Sequence, residues 1–270
     1  MRPAARDRVP RPIWWLAPVA LIVILGPLVW TVDPVEQILT DRLVGPTFDH
    51  PLGTDNLGRD LLARVLHGGR ITLGLALVAT VISSSAGIAL GLLAAAVRGP
   101  FDRALAVVID VLNAFPYLLL ALTLAGLAGG GVRGLLLALT VPAWVPFARV
   151  ARSEAMRVRA TPAIEAAVAL GASPLRVGLR HVLPNAMPPL ATLTVLRFSH
   201  TFITIAGLSF LGVGIAAPTP EWGAMLRGAL PFVERAPHVA LAPGAAILLA
   251  AVSVSAGAEG VRRLVDPRRR

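Results

Sequence analysis

Long stretches of this chain run almost free of charge and recur in order along its length. Apolar runs fall at roughly 13–32, 71–97, 104–126, 134–150, 190–212 and 240–260. A helix needs about 20 mostly apolar residues to cross the hydrocarbon core of a bilayer, so the pattern predicts six transmembrane helices. The fourth run is short, and Pro142 and Pro146 interrupt it; Pro116 lies inside the third. Prolines are tolerated in such spans where neighbouring helices or water satisfy the freed carbonyls. The expected fold is therefore an all-α polytopic membrane protein.

Two segments between the runs, about 33–70 and 151–189, are longer than plain connectors, and long connections tend to carry function. Six spans leave both termini on one side. Seventeen arginines fall on that side, among them Arg2, Arg6, Arg98, Arg149, Arg180 and Arg268–Arg270, against seven on the other. The positive-inside rule then places both termini in the cytoplasm. The first run, preceded by arginines, has the look of a signal peptide, but its 20-residue core is long and no small-residue cleavage site follows Trp30. It is read as an uncleaved span.

Composition fits this pattern. Of 270 residues 56% are hydrophobic, with a mean hydropathy of +0.73, more apolar surface than a soluble domain of this size can bury. The net charge of +10 needs no nucleic acid once the arginines are seen to lie mostly on one side. Absence of cysteine removes disulfides, thiolate metal sites and cysteine nucleophiles. All 25 basic residues are arginine. With no lysine there is no phosphate loop ending in Gly-Lys-Ser/Thr, so ATP chemistry would have to reside in another chain. The pairs at Gly68-Gly69 and Gly129–Gly131 are read as loop or close-packing glycines.

The stretch TPAIEAAVALGASPLRVGLRHVLPN, residues 161–185, is the most informative in the chain. Thr161-Pro162 is a helix start, a hydroxyl N-cap followed by proline at the first helical position. Glu165 suits the positive end of the helix dipole, and Gly171 is a natural stop. Ser173-Pro174 repeats the start signal, and the second helix is expected to end at Pro184. Two short helices joined at Gly171 form either an amphipathic hairpin resting on the membrane or a rigid knob that a soluble partner grips.

Glu165, Ala166, Ala167, Gly171, Leu183 and Pro184 resemble the EAA signature of the permeases of binding-protein-dependent ABC importers. The form RHVLPN at Arg180–Asn185 is similar to that of the dipeptide, oligopeptide and nickel branch. GTDNLGRD (Gly53–Asp60), GLSFLGVG (Gly207–Gly214), PTPEWGAML (Pro218–Leu226) and Asp266-Pro267-Arg268 resemble, in order, further segments of that branch's C-type subunits. The resemblance implies a type I importer fold in which the hairpin, with Ala172 and Ser173 at its turn, couples to an ATPase. It also implies a heterodimer with a B-type permease subunit, two ABC ATPase subunits that use ATP and magnesium, and an extracytoplasmic solute-binding protein. The chain itself would bind no cofactor or metal, catalyse nothing, and sit in a bacterial inner membrane among lipids. Its parts would be an N-terminal extension (1–70), a transmembrane domain (71–262) and a basic tail (263–270).

Two positions depart from the branch's pattern, and the second bears on the substrate. The branch often has Met-Arg shortly before its third-span aspartate, where this chain has Ala106 and Val107 before Asp110. Peptide-type members often carry a glutamate just before LSFLG, where this chain has Thr204 and Ile205. Peptides lead as the cargo, with nickel or a metallophore as the alternative.

Ionisable groups inside the spans are few. Asp110 lies about two turns in from Arg103, and Arg197 and His200 share one face of the fifth span. Intramembrane charge is expensive and marks either a lined pathway or a buried pair. The segment Asn56–His67, with leucines at helical spacing, is expected to form an interfacial helix. A secondary carrier would show inverted repeats and midplane charges, and a membrane enzyme would need converging acid, base or metal groups; both patterns are weak here.

Overall fold

The structure, a computed structural model, describes residues 16–265; the expected cytoplasmic N-terminal tail and the Asp266-Pro267-Arg268 motif lie outside the described residues. Eleven α-helices are described, and no strand occurs among these residues. They are α1 (Leu16–Val29), α2 (Leu61–Val97), α3 (Gly99–Ala114), α4 (Tyr117–Leu127), α5 (Gly131–Ala143) and α6 (Val145–Arg159). There follow α7 (Pro162–Ala169), α8 (Pro174–Val177), α9 (Leu183–Phe210), α10 (Trp222–Ala229) and α11 (His238–Val265).

Four helical stretches are long and apolar enough to cross a membrane: Leu61–Val97, Gly131–Arg159, Gly178–Phe210 and His238–Ala258. The bent pair α3 and α4 meets the same length and apolarity only when the two helices are counted together. The first expected span begins among residues that are not described, and its described part, α1, has 14 residues.

The third and fourth spans depart from continuous helices. Pro116 does not sit inside a helix: α3 ends at Ala114, Phe115 is extended, and α4 leaves at 92°. Proline has no N–H for the ladder and pushes its predecessor out of the helical region, so the chain turns there. The fourth span is longer than expected and is interrupted at Trp144, with Pro142 and Pro146 on either side.

The second span also starts earlier than its apolar run. No separate interfacial helix forms over Asn56–His67. Residues to Asp60 make a tight loop, and from Leu61 the chain is already α2, with Leu61, Ala63, Arg64 and Leu66 buried. This helix runs through residue 70, where the N-terminal extension was expected to end. The amphipathic pattern reflects burial in protein, not a membrane surface.

α2 is the central post of the fold and touches α1, α5, α6, α9 and α11. Its inner face is built from small residues, Gly68, Gly69, Thr72, Ala76, Ala79, Thr80, Ser83, Gly87, Gly91 and Ala94. Its large side chains, Leu77 and Val81 among them, are exposed on the other side, where lipid would meet them. Small faces let helix backbones approach closely, which substitutes for the hydrophobic drive that lipid removes. At Gly87 an added Cβ would lie 2.3 Å from the Trp144 carbonyl oxygen, and at Gly91 it would lie 2.3 Å from that of Ala148. α6 therefore rests directly on the backbone of α2.

This contact predicts a measurable asymmetry along α2. Gly87→Ala or Gly91→Ala should lower the unfolding temperature of the detergent-solubilised protein, at a cost of about 1–3 kcal/mol for overpacking against backbone that cannot give way. Gly74→Ala, on the same helix with open space around it, should leave the transition unchanged or raise it.

Candidate functional site

Three features singled out in the sequence occupy different levels of the bundle. The hairpin of α7 and α8 caps the end where α2 and α6 finish. Ile164, Val177 and Val182 are buried with Ala95 of α2 and with Ala155 and Val158 of α6. Arg159 binds this corner further, its guanidinium donating to the carbonyl oxygens of Ala95 (2.7 Å) and Ala96 (3.3 Å). Those are among the last carbonyls of α2, which have no partner within their own helix.

Local chemistry explains the hairpin's shape. The Thr161 hydroxyl, expected to cap α7, instead donates to the Val158 carbonyl oxygen (2.7 Å) and closes α6. The Thr161 carbonyl oxygen accepts from the Ile164 and Glu165 amides. Gly171 has φ +86°, and the Ala172 amide folds back to the Ala167 carbonyl oxygen (3.0 Å). Such a left-handed residue at the helix end is what glycine supplies. Ser173 does cap the next helix, its hydroxyl accepting from the Arg176 amide at 3.3 Å.

The hairpin does not end where expected. Pro184 does not stop the second helix; a π turn over Gly178–Val182 carries α8 straight into α9. The Leu183 amide reaches the Gly178 carbonyl oxygen, and the Asn185 side chain donates to the carbonyl of His181 (2.6 Å). The wider turn accommodates a proline that a regular helix interior would reject. Leu183 and Pro184 are thus the start of a spanning helix.

Glu165, Ala166, Gly171 and Ser173 are exposed, Ala167, Ala172 and Leu183 half-buried, and Pro184 exposed. Leu170 is 89% exposed beside the Gly171 turn, an apolar tip pointing away from the bundle. Beside the hairpin lies an open hollow of about 650 Å³ lined by Arg98, Arg159, Glu165, Ala169 and Ala172. Sequence reasoning missed Leu170. The signal was present, since a leucine just before a glycine stop has no helix face to hide in.

The second feature is a cavity of about 320 Å³ where the two helix breaks meet α9. Its walls come from Leu112, Asn113, Phe115 and Tyr117 at the α3–α4 bend, Pro142, Val145 and Pro146 at the α5–α6 break, and Arg197 and His200 of α9. The Tyr117 and His200 rings meet edge-on at 5.5 Å. The structure thus brings Arg197 and His200 together with Tyr117, which the sequence reading had not included. Asp110 is not part of this wall; it is exposed on α3, with no ion pair to a described side chain. The acid of α3 that does pair is Asp102, held in a two-point contact by Arg152 of α6.

The third feature is a buried polar knot at the opposite end from the hairpin. Asp55 accepts from the amides of Leu57 (2.8 Å) and Arg59 (3.1 Å) and pairs with the Arg59 guanidinium at 2.6 Å and that of Arg64 at 3.4 Å. Asp60 caps α2 through the Ala63 amide (2.7 Å) while receiving the Trp30 indole N–H (3.0 Å) and facing His50 Nδ1 (2.8 Å). Gly53–Asp60 is therefore a structural clasp that ties the loop after α1 to the start of α2.

Glu221 serves the same end from the far side of the chain. Fully buried, it accepts from the amides of Gly223 (3.0 Å) and Ala224 (2.9 Å) and from the Thr72 hydroxyl of α2 (3.0 Å). The Trp222 indole donates to the Val65 carbonyl oxygen at 2.8 Å, and its ring lies against Gly68 and Gly69. That glycine pair is a close-packing device, as read from the sequence. Among the described residues no three His, Cys, Asp or Glu groups come together as metal ligands would.

A family model described as binding-protein-dependent transport system inner membrane component matches residues 87–270. The chain is 37% identical over 229 residues to the glutathione transport system permease protein GsiD of Pectobacterium atrosepticum, covering 84% of this chain and 76% of the relative. It is 36% identical over 251 residues to a putative peptide transport system permease protein of Brucella suis (93% and 84%). It is 33% identical over 248 residues to the dipeptide transport system permease protein DppC of Alkalihalophilus pseudofirmus (92% and 82%). Among solved structures, a chain of the inward-facing MetNI methionine ABC transporter aligns with a TM-score of 0.59 at 21% identity, over 75% of this chain and 96% of that one. The last likeness is one of fold.

The clasp at the end away from the hairpin makes a stability prediction. Glu221→Ala strands two amides and the Thr72 hydroxyl in the interior, each unsatisfied group costing about 1–3 kcal/mol. The variant should melt well below the unaltered protein in detergent, whereas Glu234→Ala, on the exposed turn nearby, should melt with it.

Proposed function

We propose a function that starts from one fact: the chain belongs to the family of binding-protein-dependent transport system inner membrane components. It is a permease subunit of an ABC importer, a non-enzymatic membrane component, and its cargo is peptides. The substrate reading rests on relatives named for glutathione, dipeptide and peptide transport. Nickel or a metallophore, the alternative raised by Thr204 and Ile205, gains nothing from those names. In our reading the functional unit pairs this chain with a second permease subunit. Two ATPase subunits work from the cytoplasm, consuming ATP and magnesium, and a solute-binding protein delivers cargo from the other side.

The observation that carries the mechanism is the course of α6. One end, at Val145 and Pro146, walls the intramembrane cavity; the other, at Val158 and Arg159, is packed under the hairpin. A partner that grips the hairpin at Leu170 and Gly171 and moves it would therefore pull on the cavity wall through a single helix. We assign Glu165, Ala166, Ala167, Gly171, Ala172 and Ser173 to that docking knob. Leu183 and Pro184 are assigned to its connection with α9, so that the motion reaches both sides of the cavity.

Gly171→Val should uncouple the subunit. Nothing stands within 4 Å of an added Cβ there, but at φ +86° a β-branched residue is strained by roughly 1–3 kcal/mol. At matched membrane levels the variant should co-purify little ATPase and transport nothing. Glu165→Lys, which puts positive charge at a helix N-terminus, should act in the same direction. Undiminished ATPase recovery with normal transport in both would reduce the hairpin to a surface rest.

Sidedness has its own check. Cysteines placed at Arg6 and Arg268 should react with an impermeant maleimide only in inverted vesicles, and one at Thr47 only in intact cells. Labelling of the Arg268 position in intact cells would remove the cytoplasmic assignment of the C-terminus.

A further inference from the structure

Arg197 is the sole formally charged side chain among the residues that wall the intramembrane cavity, apart from the titratable His200. It lies midway along α9, in a helix that crosses the membrane. An arginine at such a position is costly unless it faces water or an anion. Among the described residues none of the ion pairs includes it, and no hydrogen bond from its guanidinium reaches another described group. The cavity contains no carboxylate of its own.

Beside Arg197 the wall offers one further side-chain donor that is not already engaged, the Tyr117 phenol. The Tyr117 phenol shares the wall, and α4 begins at that residue with no side chain capping its first amides. The Asn113 amide nitrogen is already spent on the Ile109 carbonyl (2.7 Å), and Thr204 turns its hydroxyl to the carbonyl oxygen of His200 (2.9 Å). At about 320 Å³ the space is roughly ten water molecules' worth at about 30 Å³ each, enough for the end of a chain molecule rather than a lone ion. Arginine is the side chain best matched to a planar carboxylate, through two parallel N–H donors.

We propose that this cavity is a passage point for the carboxylate end of a peptide, with Arg197 as its counter-charge and Tyr117 as a second donor. The proposal rests on the peptide reading above and adds to it a chemical selectivity inside the membrane, separate from that of the solute-binding protein. An arginine there also has to release its cargo. The half-exposed setting of Arg197, open to the cavity rather than sealed in protein, suits a transient contact.

The test uses the whole importer in proteoliposomes, with both permeases, the ATPases and the binding protein. Substrate is an equimolar pool of tripeptides, each present as the free acid and as its C-terminal amide, and uptake is read by mass spectrometry. The binding protein is common to every arm, so its own preference cancels when acid-to-amide uptake ratios are compared between permease variants. Arg197→Gln should lower that ratio about tenfold, the order expected for losing a charge-assisted hydrogen bond. Arg197→Lys should restore much of it, and Tyr117→Phe should lower it less. An unchanged ratio in both Gln and Phe variants, or an equal fall in acid and amide uptake, would overturn the proposal and leave Arg197 as a partner-subunit contact or a packing residue. Should Arg197→Gln fail to accumulate, the Phe variant still decides, since a purely structural role for this wall would leave its ratio at the unaltered value. Uptake of no peptide by the unaltered importer would instead remove the peptide reading itself, a separate failure.

Discussion

The closeness of α2 to its neighbours is the constraint on which the rest of this molecule depends. A bilayer gives helices no hydrophobic reason to associate, so what holds the bundle is how near two backbones can come. The glycines at 87 and 91 let α6 lie against α2 with its carbonyls where side chains would otherwise be. Once that pair is set, the other levels follow. The corner below it fixes the hairpin through Arg159 and a small apolar cluster. The break in the same helix faces the bend of the third span and makes the cavity. At the far end, Gly68 and Gly69 give the Trp222 ring its seat, so one helix carries both the hairpin end and the clasp end of the subunit.

Those two ends are built from different chemistry. The clasp is polar and saturated: Asp55, Asp60 and Glu221 each satisfy several donors, and Asp60 and Glu221 bridge segments far apart in sequence. Fully partnered buried groups of this kind make a structure rigid and specific, because leaving any one unpaired is expensive. The hairpin corner is mostly alanine and valine with a glycine turn, and its outward residues are exposed. Fewer directional bonds hold it, and its contacts with the bundle are mainly apolar packing.

Much of this was legible in the residues. Apolar runs located the helices, and two hydroxyl-proline starts around a glycine located the hairpin, because propensity and capping act locally. What the sequence concealed came from long-range packing. Pro116 and Pro184 carry the same local signal, yet one breaks its span and the other is absorbed. The difference lies in the π turn and the Asn185 side chain that rescue Pro184, neither of which periodicity reveals. Leucines over Asn56–His67 looked like a membrane-surface face, but Leu61 and Leu66 are buried in protein among α1, α10 and α11. Arg197 and His200 were visible as an unusual pair. Their shared cavity with Tyr117 was not, since it exists only where two breaks some 30 residues apart meet a third helix.

The π turn at Gly178–Val182 has a consequence for how this architecture can diverge. A π turn amounts to one residue inserted into an α-helix, and one residue is about 100° of rotation at 3.6 residues per turn. The hairpin and α9 therefore hold a phase relation written into a single extra amide, not into the many contacts along either. Substitutions that tune the knob or the cavity can accumulate separately without disturbing that phase. Loss of one residue in the turn would swing the whole of α9 by more than a quarter-turn, carrying Arg197 away from the cavity while the contacts of α7 and α8 before the turn stayed as they were. Length, rather than chemistry, is what this joint must conserve.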